Sequence, residues 1–151
     1  HGGTAMKKLL IMLCLLAMPT LTFAAEAGSI GVGIILGDPT GISGKYWIDK
    51  DNAIDAAIGF DRFSVHADYL FHLWNIFPQT GEGDFGGYFG PGLVFKDKKH
   101  DNMVGVRFAL GAVFEVDKYP VEFFAELVPV LELSPDSDLN LDGGIGVRYF
   151  F

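Results

Sequence analysis

Three features of the sequence predict an all-β fold, an eight-stranded antiparallel up-and-down barrel of the transmembrane kind. Beyond position 27 the chain falls into segments where apolar and polar side chains alternate with a period of two, the pattern of strands with one greasy and one wet face. Eight such segments can be drawn, and an even number lets an antiparallel meander close with both ends on one side. The third feature is compositional. Twenty glycines and 14 phenylalanines accompany a positive mean hydropathy of +0.31, yet no later stretch could span a bilayer as a helix. A membrane chain without such helices is left with a closed barrel, because open sheet edges cannot face lipid.

The first residues read as an export signal. Met6 is the expected initiator, followed by basic Lys7 and Lys8 and by the apolar run 9–17, too short to span a bilayer. Residues 1–5 are then a non-native or gene-model remnant, 6–24 a signal peptide and 25–151 the barrel domain, with cleavage after Ala24 or, alternatively, after Ala27. Loss of the signal removes Cys14, the single cysteine, and with it any disulfide or thiolate ligand. It also takes the formal charge from −8 to −10, since Lys7 and Lys8 depart. So acidic a chain offers nucleic acid no broad basic surface.

The segments follow in order. In the first, 29–36, Ile30, Val32, Ile34 and Leu36 oppose Ser29, Gly31, Gly33 and Ile35, the glycines suiting a crowded interior. In 42–48, Ile42, Gly44, Tyr46 and Ile48 oppose Ser43, Lys45 and Trp47, and in 53–60 Ile54, Ala56, Ile58 and Phe60 oppose Ala53, Asp55, Ala57 and Gly59. Segment 63–75 sets Phe63, Val65, Ala67, Tyr69, Phe71 and Leu73 against Ser64, His66, Asp68, Leu70, His72 and Trp74. In 85–96 the outer set is Phe85, Gly87, Phe89, Pro91, Leu93 and Phe95. Segment 103–116 sets Val104, Val106, Phe108, Leu110, Ala112 and Phe114 against Gly105, Arg107, Ala109, Gly111 and Glu115. Segment 121–133 sets Val121, Phe123, Ala125, Leu127, Pro129 and Leu131 against Glu122, Phe124, Glu126, Val128, Val130 and Glu132. The last, 139–151, ends with Ile145, Val147, Tyr149 and Phe151 on one face and Gly144, Gly146, Arg148 and Phe150 on the other. In segments 63–75, 103–116 and 121–133 one face carries no charge and the other nearly all of it, the lipid-out, polar-in pattern of a membrane barrel, while 29–36 shows it less clearly. Connections rich in Gly, Pro, Asn and Asp separate the segments, 61–62 being the weakest turn signal. Pro91 and Pro129 are expected at bulges, since a closed barrel has no free edge for them.

With its export signal, its alternation and its ending Val147-Arg148-Tyr149-Phe150-Phe151, the chain resembles small outer-membrane barrels of the OmpA or OmpX type. The resemblance covers essentially all of residues 25–151. It implies an outer-membrane location, outer-membrane lipid and lipopolysaccharide as surroundings, and recognition of Val147, Tyr149 and Phe151 by the barrel assembly machinery. It implies no cofactor and a monomer. Adhesin and receptor members of this class carry long outer loops, whereas the outward connections here, 37–41, 61–62, 97–102 and 134–138, are short. The longest connection, 76–84, falls on the periplasmic side, which inverts the usual asymmetry.

An eight-stranded barrel has room only for its own side chains or one small ligand. The inner face would gather Lys45, Arg107 and Arg148 with Asp55, Asp68, Glu115, Glu122, Glu126, Glu132 and Asp142. A lone buried charge costs several kcal/mol, so an ion-paired plug is expected, with Glu122 or Glu126 as the partner of Arg107. A proton or ion path is the rival use of the same residues. Ser64, His66, Asp68 and His72 share one face of one strand, but His66 and His72 stand about 20 Å apart along it, too far for one metal. Ser64 and His66 are about 7 Å apart at their backbones, a poor spacing for nucleophile and base. A site from these residues would need completing by another strand. The basic cluster Lys96, Lys98 and Lys99 on an outer loop suits lipopolysaccharide phosphate, or else is a solvated hairpin. The leading expectation is a non-catalytic barrel with a structural or envelope-integrity role. Its rivals are a surface module binding lipopolysaccharide or a host protein, a lipid A-modifying enzyme, and a soluble periplasmic barrel with the two faces exchanged.

Overall fold

The computed structural model describes residues 26–78, 81–97, 102–134 and 137–151. The expected signal peptide 6–24, and Lys98 and Lys99, lie outside the described residues. Eight antiparallel strands run in chain order: β1 (Ile30–Asp38), β2 (Gly41–Trp47), β3 (Asn52–Gly59), β4 (Ser64–Leu73), β5 (Gly83–Asp97), β6 (Asn102–Val116), β7 (Val121–Ser134) and β8 (Asp138–Phe150). Each pairs with its chain neighbours, and β8 returns to β1 from Gly31↔Phe150 through Asp38↔Gly143, so the sheet closes into a barrel.

The strand ends depart from the periodicity for identifiable reasons. β4 stops at Leu73, short of Asn75, because Trp74 leaves the ladder and its indole Nε1 donates to the Lys50 carbonyl at 2.8 Å. β5 begins at Gly83 rather than Phe85, since β6 is long enough to place Val116 opposite it. The prolines require a correction. Neither Pro91 nor Pro129 sits at a bulge: the register runs unbroken past both, with Pro91 opposite Phe108 and Pro129 opposite Leu141. What lapses is pairing on the other side, between Asp68↔Gly92 and Phe71↔Phe89 for Pro91 and between Arg107↔Val130 and Leu110↔Leu127 for Pro129. Each proline turns its missing N–H toward one neighbour, and that ladder skips rungs without slipping. The register shift of the β6–β7 ladder lies elsewhere, between Val104↔Ser134 and Gly105↔Glu132, where Leu133 of β7 is the extra residue.

Going once around, the register leads from Asp38 to Gly143, Leu127, Leu110, Phe89, Phe71 and Asn52. One step beyond the pair Trp47↔Ala53 it reaches Ile48, and from there Gly28, so the path returns to β1 at position 28 instead of 38, a stagger of ten residues. Such a stagger tilts the strands by ~40° from the axis. A barrel of this size closes tightly around side chains.

Exposure alternates along the strands. Trp47, Ala53 and Phe150 form one buried apolar cluster, and Ile35, Leu70, Tyr88, Val113, Phe124 and Val128 belong to the other. Outside, Phe108 and Phe123 are exposed while Arg107 and Glu122 are buried, so the face-exchanged arrangement is not the one adopted.

Candidate functional site: the charged interior

Alternation sends every second residue inward, and the barrel interior therefore collects charge. Lys45, Asp55, Asp68, Arg107, Glu115, Glu122, Glu126, Glu132, Asp142 and Arg148 are all buried. Two nodes organise the middle. At the first, Glu122 accepts from Lys45 Nζ at 3.0 and 3.1 Å and from Arg148 Nη1 at 2.8 Å. Arg148 continues through Nη2 to Asp55 Oδ2 at 3.3 Å and through Nε to Ser43 Oγ at 3.0 Å, with its guanidinium 3.9 Å from the Phe124 ring centroid. Lys45 also reaches His72 Nε2 at 2.9 Å and lies 4.2 Å from the Trp47 ring centroid. At the second node, Arg107 Nε lies 2.8 Å from Asp68 Oδ1 and Nη2 donates to Glu126 Oε2 at 3.1 Å. The Tyr88 hydroxyl donates to the other oxygen of Glu126 at 2.6 Å.

Glycines decide which of these groups meet. Asp68 and Arg107 lie on β4 and β6, with Gly92 of β5 between them in register, and a Cβ there would stand 1.8 Å from Asp68 Oδ1. Tyr88 on β5 crosses Gly111 of β6 to reach Glu126 on β7, and a Cβ at Gly111 would stand 2.2 Å from its ring. Arg148 on β8 crosses Gly33 of β1 to reach Ser43 on β2. Each pair meets across an intervening strand whose inward position is bare. A side chain there would meet the crossing atoms or the neighbouring backbone.

At the end of the barrel that holds the β1–β2 turn, Lys96 Nζ pairs with Asp142 at 2.7 Å and Asp38 at 3.6 Å, and Glu132 accepts from Asn140. These groups line a polar cavity of ≈ 600 Å³ together with Asp61, Arg62 and Ser64. Lys96 is thus held at the rim by carboxylates.

The alternation alone could place residues on a face but could not choose partners. Arg107 takes Glu126, one of its two expected partners, whereas Glu122 goes to Lys45 and Arg148. Asp68 as the second partner of Arg107 was not foreseen; the inward glycine between them, Gly92, was the available signal. Ser64 and His66 take successive inward positions of β4, and His66 Nε2 stands 3.7 Å from Asp68 Oδ2. The other strand contributes Asp55, and one ligand-type atom from each of Asp55, His66 and Asp68 falls within 4.8 Å of the others. Of the C-terminal set, Tyr149 and Phe151 face outward with rings edge-on at 5.1 Å, and Phe151 N donates to the Ile30 carbonyl at 2.8 Å.

No protein-family model matches the sequence, and no curated protein does. Among solved structures, the N-terminal β-barrel domain of Pseudomonas aeruginosa OprF superposes with a TM-score of 0.58, covering 83% of this chain and 98% of that one. The two share a fold. Their sequences are 13% identical, so the likeness to the OprF barrel extends to architecture and not to particular side chains.

Proposed function

We propose that the chain is an integral outer-membrane β-barrel, non-catalytic, with a structural role in envelope integrity. The observation that carries this reading is the division of the sheet into two surfaces. Among the described residues, outward positions between the rims hold exposed Ile, Leu, Val, Phe and Tyr and no charge, while the charged groups pair inside. In water that outer surface would forfeit about 25 cal/mol for each Å² of apolar area left wet. A lipid bilayer removes the cost, and closure leaves no strand edge to face it.

On this reading, outer-membrane lipid and lipopolysaccharide surround a monomer, and Val147, Tyr149 and Phe151 are the face shown to the assembly machinery. The Lys96 ammonium is directed to Asp142 and Asp38, so it lends no support to lipopolysaccharide binding at the Lys96, Lys98, Lys99 cluster. The deciding experiment is fractionation of cells with gel migration before and after boiling. Recovery in the outer membrane as a heat-modifiable band is expected, and recovery in the soluble periplasm would overturn the proposal.

A further inference from the structure

We propose that Asp55, His66 and Asp68 form a binding site for a divalent transition-metal ion, of the Zn²⁺ class, inside the barrel. The argument begins with a pair of like charges. Asp55 and Asp68 face each other directly across β3 and β4, an arrangement that repels unless something positive or a shared proton lies between them. Both are 2% exposed, so water does not relieve the repulsion.

Each arginine approaches one oxygen of one aspartate. Arg148 takes Asp55 Oδ2 at 3.3 Å and Arg107 approaches Asp68 Oδ1 at 2.8 Å. Asp55 Oδ1 and both oxygens of Asp68 have no hydrogen-bond partner, and Asp68 Oδ2 stands 3.7 Å from His66 Nε2. His66, also buried, adds an imidazole nitrogen, and the three groups come within 4.8 Å of one another. Two ligands on one ion stand at most about 4.2 Å apart, so only a small closing movement is required. The outer arginine contacts then act as orienting partners, holding each carboxylate through the oxygen the metal does not use.

Charge points the same way. In the middle of the barrel the carboxylates Asp55, Asp68, Glu122 and Glu126 outnumber the cations Lys45, Arg107 and Arg148, while Glu115 lines a cavity at one mouth with Asp49, Lys50 and Asp84. A bound cation offsets that excess. One imidazole with two carboxylates favours a transition ion over Mg²⁺ or Ca²⁺, which prefer all-oxygen sets. A polar cavity approaches the site to within one inward residue, its lining including Ser64, which precedes His66 on the inner face of β4.

The site rests on the interior geometry and not on the membrane location, and its test is separate. The full chain is refolded in detergent, stripped with a chelator and titrated with Co²⁺, then Zn²⁺, with Mg²⁺ as the all-oxygen control. Stoichiometric Co²⁺ absorption displaced by Zn²⁺ and not by Mg²⁺ is expected. His66→Gln, close in size to the original, should weaken Co²⁺ binding more than about tenfold while the protein keeps its heat-modifiable folded band. His72→Gln, whose ring meets Lys45 instead, should retain it. A folded wild-type barrel that takes up neither metal, or Co²⁺ binding that survives His66→Gln undiminished, would overturn the site and leave the aspartates sharing a proton.

Discussion

At the scale of single residues, the interior depends as much on absent side chains as on charged ones. Gly111→Ala would drive a methyl into the Tyr88 ring, and Tyr88 would lose its bond to Glu126. A loss of about 1–3 kcal/mol is expected, measured by urea unfolding in lipid vesicles, with Gly44→Ala as the comparison because its nearest neighbour is 3.7 Å away. Arg107→Met strands Asp68 and Glu126 together and should cost about 3–5 kcal/mol, against a smaller loss when Glu126→Gln accompanies it. Much of this was legible in the sequence as a choice of face, because the period of a strand is fixed and charge cannot point into an apolar surroundings. The pairings were not legible, because they join residues up to four strands apart and depend on register and stagger, which no local pattern contains. Gly33, Gly92 and Gly111 were visible as small residues, but their use as crossings emerges only once their neighbours are aligned.

The strands and turns carry their own consequences. Pro129 is accommodated by rungs that lapse on the β6 side while the β8 register continues. Pro129→Val restores an N–H at that gap and is expected to leave stability unchanged or to raise it by about 1 kcal/mol, read from the same unfolding curves. A bulge would have predicted the opposite, since refilling a bulged position disturbs register. The alternation could not separate these cases: a proline in a strand signals a lost donor, not which neighbour lacks it. In the turn between β2 and β3, Asp49 accepts from the Asn52 side chain and from the backbone N–H groups of Asp51 and Asn52. The Asn52 side-chain bond foremost, then the backbone bonds, hold its carboxyl below the usual carboxylate range. A depressed value means the turn keeps this support at neutral pH and loses it as pH falls through that lowered value. Carbon-detected titration of the Asp49 carboxyl should show a midpoint below that of an unstructured peptide, and Asn52→Ala should raise it. An unshifted midpoint would mean that the turn does not hold this conformation in solution.

For the whole molecule, the outer surface separates a membrane barrel from a soluble one. Leu127, at mid-strand and 61% exposed, is a direct probe. Leu127→Lys should destabilise the barrel in a bilayer by about 2–4 kcal/mol, while Leu139→Lys near the rim should cost about 0–1; in a water-soluble barrel neither would matter. The fold class was readable because eight alternating segments admit few closed arrangements, and closure itself was inferred from the lack of any other way to satisfy the backbone in lipid. The stagger was not readable, as it is a property of all the pairings at once. That closure also fixes an order of assembly. β1 and β8 lie at opposite ends of the barrel sequence, so until they meet the chain is a curled ribbon with two unpaired borders and no inside. Arg148 sits on the last strand and reaches over the first to Ser43 and Asp55. Zipping the ribbon shut and drying its charges are therefore one event, and Arg148→Met should slow the appearance of the compact, fast-migrating form far more than it slows the gain of strand signal by circular dichroism.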